Sequence, residues 1–298
     1  MKTPEVSPKS LDPQTLAKLS GLQLRARRIV EGYVAGLHRS PYHGFSIEFA
    51  EHREYTPGDD LRYLDWKVLG RTDKYYLKQY EDETNLICYL VLDVSESMSY
   101  RGPESPWSKL DYAQCLAASL AWLVLRQQDA VGLVTLDERL RDSLPPSSSA
   151  AHLNPLLQML ESAQPQGKTA LGPLLQQLAR TFRKRGIVIV IGDLFEDLSS
   201  LAAGLKRLRQ QRHDTIVLQV LDRAETDFPF DRPALFKGLE GLPEVVTDPR
   251  SLRHAYLSEL DKHLRVVRKI CRESETDYRQ LRTDQPLDKA LSALLSAR

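Results

Sequence analysis

The sequence contains few cysteines and no apolar run long enough to cross a membrane. Its three cysteines, Cys88, Cys115 and Cys271, are odd in number and far apart, which is atypical of a disulfide framework and favours reduced thiols. No stretch approaches the roughly 18 consecutive apolar residues of a membrane-spanning helix, so we expect no direct membrane insertion. Because the first residues also lack the apolar region of a secretion signal, we expect a cytoplasmic protein.

A strong overall charge and two kinds of ligand motif are missing as well. The formal net charge is only +1, so no overall field attracts nucleic acid, and we expect none as a partner. The seven histidines form no pair at metal-ligand spacing, which argues against a zinc site. Without a glycine-rich phosphate loop, we expect that the chain does not itself bind ATP.

What the sequence does contain is a regular alternation of apolar strands and helices. Strands are predicted at 86–93, 130–136, 187–191 and 215–221, with a short one near 139–144 before the loop 145–149. Helices are predicted between them, at 109–127, 150–162, 171–184 and 199–212. This order is typical of an α/β fold with a doubly wound, mostly parallel sheet.

The segments outside this pattern are predicted to form a smaller strand-and-helix extension. We divide the chain into 1–83, 84–224 and 225–298. The first segment contains a helix over 12–36 and a region rich in Arg, Asp and Trp. The last segment contains a hairpin, a long helix over 250–274, a short strand and a final helix.

An aspartate and two serines follow the first buried strand. Asp93 ends the apolar run, and Ser95 and Ser97 come at the next two alternate positions. Groups at the carboxyl end of a parallel strand project into the crevice where such sheets bind ligands. Three oxygen groups placed there suit a hard cation such as Mg²⁺. The alternative is a strand-to-helix turn in which Ser95 or Ser97 only caps the next helix.

Two later residues support the interpretation of a metal site. Thr169 lies in a loop between two predicted helices, and Asp193 follows the second wholly apolar strand. Because neighbouring parallel strands bring their carboxyl-end loops together, both can converge with Asp93, Ser95 and Ser97. Two carboxylates, three hydroxyls and water make an octahedral oxygen set.

These five residues resemble the metal-ion-dependent adhesion site of von Willebrand factor type A domains. That site has the pattern Asp-x-Ser-x-Ser, then a threonine, then an aspartate, which the chain matches with Asp93, Ser95, Ser97, Thr169 and Asp193. The resemblance implies that the hydroxyls bind the ion directly and that the aspartates often act through water. It also implies one open position for an acidic side chain of a partner. Because neutral hydroxyls leave net positive charge on the ion, we expect a binding protein and not an enzyme.

A block of closely spaced opposite charges precedes the α/β region. Its members are Arg53, Tyr55, Asp59, Asp60, Arg62, Asp65 and Trp66. Such a block can be a salt-bridged brace that holds the N-terminal extension against the sheet. It can also be a partner surface, because exposed Arg and Trp are typical of binding hot spots.

The same block is similar to the domain-of-unknown-function family numbered fifty-eight. The similarity is carried by Arg53-Glu54-Tyr55, Pro57-Gly58-Asp59-Asp60, Arg62 and Asp65-Trp66, placed just before a region that resembles a type A domain. Members of that family are typically encoded with MoxR-type AAA+ ATPases. The resemblance therefore implies a metal-binding adaptor or co-chaperone whose partner is a MoxR-type ATPase, its client, or both.

Two other functions stay open at this stage. One is a protein-interaction module that works without metal. The other is a phosphatase of the haloacid-dehalogenase type, because Lys168, Asp193 and Asp197 resemble elements of that family. Its chemistry needs a second acid two residues after the nucleophile; with Asp93 as the nucleophile that position is Ser95, which argues against the phosphatase.

Overall fold

The structure, a computed structural model, describes residues 21–37, 52–54, 76–78, 86–232, 234–236, 238–241 and 245–295. The chain divides into two compact units, one formed by 1–36 with 86–298 and the other by 37–85. In the second unit, β1 (His52–Glu54) pairs with β2 (Tyr76–Lys78) in antiparallel orientation.

The first unit contains a six-stranded sheet and a separate hairpin. Its strands are β3 (Ile87–Asp93), β4 (Ala130–Leu136), β5 (Leu140–Ser147), β6 (Ile187–Gly192), β7 (Asp214–Leu221), β8 (Ala234–Phe236), β9 (Val245–Thr247) and β10 (Asp277–Arg282). The sheet order is β10-β7-β6-β3-β4-β5, and β8 pairs with β9 alone. All neighbours in the sheet are parallel except β4 and β5. The prediction of a mostly parallel α/β sheet is confirmed.

The described helices are α1 (Leu22–Leu37), α2 (Lys109–Arg126), α3 (Leu153–Ser162), α4 (Leu171–Thr181), α5 (Leu198–Gln210), α6 (Arg223–Asp227), α7 (Pro249–Glu273) and α8 (Leu287–Leu295). Local chemistry explains where several of them begin. Ser108 and Asp111 form a capping box at the start of α2, and Asp248 caps α7 ahead of Pro249. Within the described ranges, no helix is both long and apolar enough to cross a bilayer.

The core has two layers because successive residues of a strand point to opposite faces of the sheet. Leu90 and Leu92 of β3 belong to a buried cluster that includes residues of α1, α2, α3 and α8. Tyr89 and Val91 of the same strand pack with α4, α5 and α7 instead. Both faces of the sheet are therefore covered by helices, which is why its central strands are mostly apolar.

Two details of the sheet differ from the sequence-based expectations. The sequence predicts a loop over 145–149, but β5 continues through Pro145 and Pro146, because an edge strand tolerates proline. The sequence also predicts a separate extension over 225–298, whereas β10 is an edge strand of the main sheet. Parallel pairing joins segments that are distant along the chain, so no local pattern indicates this partnership. Of the predicted helix over 12–36, residues 12–20 lie outside the described residues.

Candidate metal centre

Two aspartates meet at the carboxyl edge of the sheet. Asp93 ends β3, Asp193 follows β6, and these two strands are parallel neighbours. Both side chains are fully buried. Gly192 provides the space for this approach, because a Cβ at that position would lie 2.8 Å from the Asp93 Cβ. Two buried carboxylates are thus held side by side.

The two predicted serines lie in the turn that follows β3. The Ser95 backbone N–H donates to Asp93 Oδ1 at 2.9 Å, and the Ser95 and Ser97 hydroxyls form a hydrogen bond of 3.1 Å. The Ser97 hydroxyl also interacts with the Asp193 carboxylate. The serines therefore connect one aspartate to the other.

Helix capping does not account for these hydroxyls. Ser95 precedes a short 3-10 turn over Glu96–Ser99 but makes no side-chain capping hydrogen bond there. The next α-helix, α2, is capped by Ser108.

Thr169 reaches the same place from the loop before α4. Its hydroxyl lies 3.4 Å from Asp93 Oδ2. The Gly167 carbonyl accepts a backbone hydrogen bond of 2.9 Å from the turn after β3, and the Ala170 N–H donates one of 3.1 Å to the loop after β4. The structure therefore brings together Asp93, Ser95, Ser97, Thr169 and Asp193.

A buried lysine that the sequence did not reveal neutralises one of the carboxylates. Lys109, at the start of α2, is 1% exposed, and its Nζ donates to Asp193 Oδ2 at 2.8 Å and to Glu225 Oε1 at 2.7 Å. Burial alone would raise the pKa of Asp193, but the Lys109 ammonium lowers it below the ordinary value. A lysine in a helix usually faces solvent, and its partners here come from distant segments, so the sequence offered no signal for this role.

Among the described residues, Asp93 has no such counter-charge. Burial and, after it, the negative charges of Asp193 and Glu196 raise the pKa of Asp93 to about 8, although hydrogen bonds from Ser95 oppose the shift. None of the ion pairs between described residues includes Asp93. A buried carboxylate without a positive partner is costly, so a cation beside Asp93 would stabilise this arrangement.

The residues present fit a small, hard cation. The distance of 3.1 Å between the Ser95 and Ser97 hydroxyls is close to the separation of about 2.9 Å between adjacent oxygens in an octahedral Mg²⁺ site. In the part of the chain that the structure describes, no group of three or more His, Cys, Asp and Glu side chains is arranged to hold a metal ion. The candidate set differs from such groups because three of its five side chains carry hydroxyls.

Glu196, also missed from the sequence, supports the loop that carries Thr169. Its Oε2 accepts from the Gly172 N–H at 3.1 Å, in the first turn of α4, where Ala170 makes no side-chain capping bond. Burial raises the pKa of Glu196 to about 7. Glu196 thus provides the cap that the residues adjacent to α4 do not.

The charged block before the sheet is largely outside the described residues. Arg53 lies in β1, and its side chain is not described. The other predicted members, Tyr55, Asp59, Asp60, Arg62, Asp65 and Trp66, lie outside the described ranges. Whether this block is a brace or a partner surface stays a prediction.

Comparison with known proteins gives one family and several similar chains. The model of the family described as "Protein of unknown function DUF58" matches residues 51–266. The uncharacterized protein Rv1480 of Mycobacterium tuberculosis (strain ATCC 25618 / H37Rv) is 25% identical over 280 residues, which cover 92% of this chain and 86% of that protein.

Similar solved structures include two of low sequence identity. BatB from Bacteroides thetaiotaomicron, a conserved hypothetical protein, is 20% identical with a TM-score of 0.48, covering 71% of this chain and 98% of that chain. The SpRpn10 VWA domain is 11% identical with a TM-score of 0.42, covering 70% of this chain and 94% of that one.

Proposed function

This chain belongs to the DUF58 family of proteins of unknown function, and from that premise we propose that it is an adaptor that engages an acidic side chain of a partner protein through Mg²⁺. The observation that supports this most directly is the convergence of five oxygen-bearing side chains at one edge of the sheet. A divalent cation held there would offer an open coordination position to an external carboxylate.

Each residue of the set has a distinct proposed role. Ser95, Ser97 and Thr169 would hold the ion through their hydroxyls, and Asp93 and Asp193 would support it through water, as the resemblance to type A domains implies. Lys109 offsets the charge of Asp193, whereas Asp93 pairs with no positive group in the part of the chain that the structure describes. Neutral hydroxyl ligands leave positive charge on the ion, which favours capture of a partner's Glu or Asp.

We propose a MoxR-type AAA+ ATPase, its client, or both as the partner, with this chain as adaptor or co-chaperone. The support is the similarity of the block from Arg53 to Trp66 to proteins encoded with such ATPases. A carboxylate at the cation would make this association sensitive to chelators.

Calorimetric titration with Mg²⁺ tests the metal site. The parent is expected to bind Mg²⁺, and Ser95→Ala and Ser97→Ala are expected to weaken the affinity by tenfold or more, in the range of roughly 10–100-fold seen when supporting groups of metal sites are removed. Ser99→Ala is the matched control, because Ser99 lies in the same turn, exposed, and donates to the Glu96 carbonyl. Equal Mg²⁺ affinity of the parent and the three variants would contradict the proposed metal site.

Co-purification tests the partner. The chain is mixed with a MoxR-type ATPase from the same organism, with and without EDTA, and recovery is compared with that of Ser95→Ala. We expect recovery to fall with EDTA and with the Ser95 variant, and to persist with Ser99→Ala. Recovery that is unchanged in every case would contradict the metal-bridged mechanism.

A metal-independent interaction module is the second candidate, and Lys109 is the observation that favours it. The ammonium already pairs with Asp193, so part of the site is neutralised without an ion. Partner binding that persists in EDTA, together with no Mg²⁺ affinity, would select this candidate. The phosphatase has less support, because its second aspartate, Asp197, caps α5 at the surface by accepting from the N–H groups of Ser199 and Ser200.

A further inference from the structure

A third carboxylate reaches the candidate metal centre from the connection between β8 and β9. Glu240 Oε1 accepts from the Thr169 hydroxyl at 3.4 Å, and the same hydroxyl lies 3.4 Å from Asp93 Oδ2. The Glu240 backbone N–H donates to Glu96 Oε2 at 2.9 Å. Glu96 is the residue between the two serines, so Glu240 contacts both loops that carry hydroxyls of the site.

The backbone at Glu240 is in a conformation that side chains other than glycine rarely adopt. Its φ is +59°, and Gly241 follows with a φ of +76°. A left-handed glutamate is uncommon and needs support from its surroundings. The contacts with Thr169 and Glu96 provide that support and direct the carboxylate to the metal centre.

Among the described residues, the hairpin that carries Glu240 stands apart from the six-stranded sheet. Its two strands are three residues long and pair only with each other, and a two-stranded hairpin is marginally stable at best by itself. Phe236 of β8 stacks on Phe228 at 5.9 Å and meets Phe230 edge-on at 5.5 Å.

We propose that Glu240 is an internal ligand that occupies the position on the cation where a partner's acidic side chain would bind. The inference rests on the proposed function, since it requires a cation at the site. Close to Asp93, a second carboxylate is repelled, but a divalent ion between them would make the contact attractive. Glu240 and a partner's Glu or Asp present the same group to the same ion, so they exclude one another. Partner binding then requires the hairpin to move.

Mn²⁺ serves as the probe, because it can replace Mg²⁺ and its effect on water-proton relaxation depends on the water molecules it binds. In Glu240→Gln we expect greater relaxation per bound Mn²⁺, because water takes the vacated position. We also expect a Mn²⁺ dissociation constant raised roughly tenfold. Added glutarate, a small dicarboxylate, is expected to displace this water at lower concentration in the variant than in the parent. Asp231→Asn, an exposed acid near the same hairpin, controls for the change in charge.

The outcomes separate this inference from the proposed function. If Glu240→Gln matches the parent in affinity, relaxation and glutarate response while Ser95→Ala loses Mn²⁺, the metal site stands and the internal ligand is wrong. If the parent itself binds no Mn²⁺, the proposed function is wrong, and the inference falls with it. Glu240→Asp retains the charge on a shorter side chain. A water-proton relaxation per bound Mn²⁺ between that of the parent and that of Glu240→Gln would support a carboxylate that reaches the ion.

Discussion

At the scale of single residues, the charge balance of the candidate site depends on Lys109. Its ammonium is buried between Asp193 and Glu225 and lies 5.2 Å from the centre of the Phe195 ring. Burial alone would lower the pKa of Lys109, but the two carboxylates raise it. Lys109 therefore stays charged, and its positive charge compensates the negative charges of Asp193 and Glu225.

Replacing Lys109 by methionine is expected to destabilise the protein strongly. The side chain keeps its approximate volume, but Asp193 and Glu225 lose their positive partner, and breaking a buried pair in this way costs about 3–5 kcal/mol. Urea denaturation of Lys109→Met measures this loss in the free energy of unfolding. Lys262→Met is the control, because Lys262 is exposed and a surface substitution usually changes stability by less than about 0.5 kcal/mol. Equal stability of the two variants would contradict the buried ion pair.

His213 predicts a pH dependence of stability. It is buried, and burial lowers its pKa, although the backbone of Gly186 and Phe182 and the charge of Asp214 oppose the shift. The unfolded chain binds a proton at this residue below about pH 6.5, while the folded protein keeps the ring neutral to lower pH. Unfolding therefore becomes more favourable as the pH falls through that value.

The variant His213→Phe removes this contribution and keeps an aromatic ring beside Tyr89 and Phe182. We expect its free energy of unfolding to fall less steeply than that of the parent between about pH 7 and pH 5. Denaturant titrations at several pH values provide the measurement, with His254→Phe, on the exposed side of α7, as control. If the free energy of unfolding falls equally steeply with pH in the parent and in His213→Phe, His213 does not contribute to the pH dependence of stability.

At the scale of elements, the close contact between α4 and α5 positions the loop that carries Thr169. A Cβ on Gly172 would overlap the Ser200 backbone, and a Cβ on Gly204 would lie 2.7 Å from the Gly172 carbonyl oxygen. The two helices can approach this closely only because both positions are glycine. Gly172 also donates its N–H to Glu196, which connects the helix contact to the metal centre.

Gly172→Ala is therefore expected to reduce stability by about 1–3 kcal/mol, the usual cost of overpacking. It should also weaken Mg²⁺ binding, because the start of α4 must shift together with Thr169. Denaturation and calorimetry on the same variant measure both effects. Gln177→Ala, exposed on the same helix, should change neither. A Gly172 variant as stable as the parent would mean that the helices have room to separate.

The elements that the sequence predicted most closely are the strands buried on both faces of the sheet. β3, β4, β6 and β7 are central strands with mostly apolar sequences, and the structure gives them bounds within a residue of those predicted. β5 was predicted too short because its prolines indicate a loop unless the strand lies at an edge. The short helix α6 has no apolar periodicity, and the sequence-based prediction omitted it.

At the scale of the whole molecule, the candidate site is assembled from segments that only the sheet topology brings together. The spacing of Asp93, Ser95 and Ser97 is local, and Thr169 and Asp193 could be added because they end or join predicted elements. Lys109, Glu196 and Glu240 contribute through tertiary contacts alone, so no local pattern predicts their roles. The convergence of these five side chains was thus predictable from the sequence, whereas the electrostatic balance of the candidate site and its contact with the β8–β9 hairpin were not.

The most direct test of the proposed metal site is the anomalous diffraction of crystals of the full chain grown with Mn²⁺. We predict an anomalous peak at the carboxyl edge of the sheet, at about 2.0–2.2 Å from the hydroxyl oxygens of Ser95 and Ser97. The same peak should be absent from crystals of Ser95→Ala. A map of the parent without a peak beside these two serines, at a Mn²⁺ concentration that produces peaks elsewhere on the protein, would contradict the metal centre.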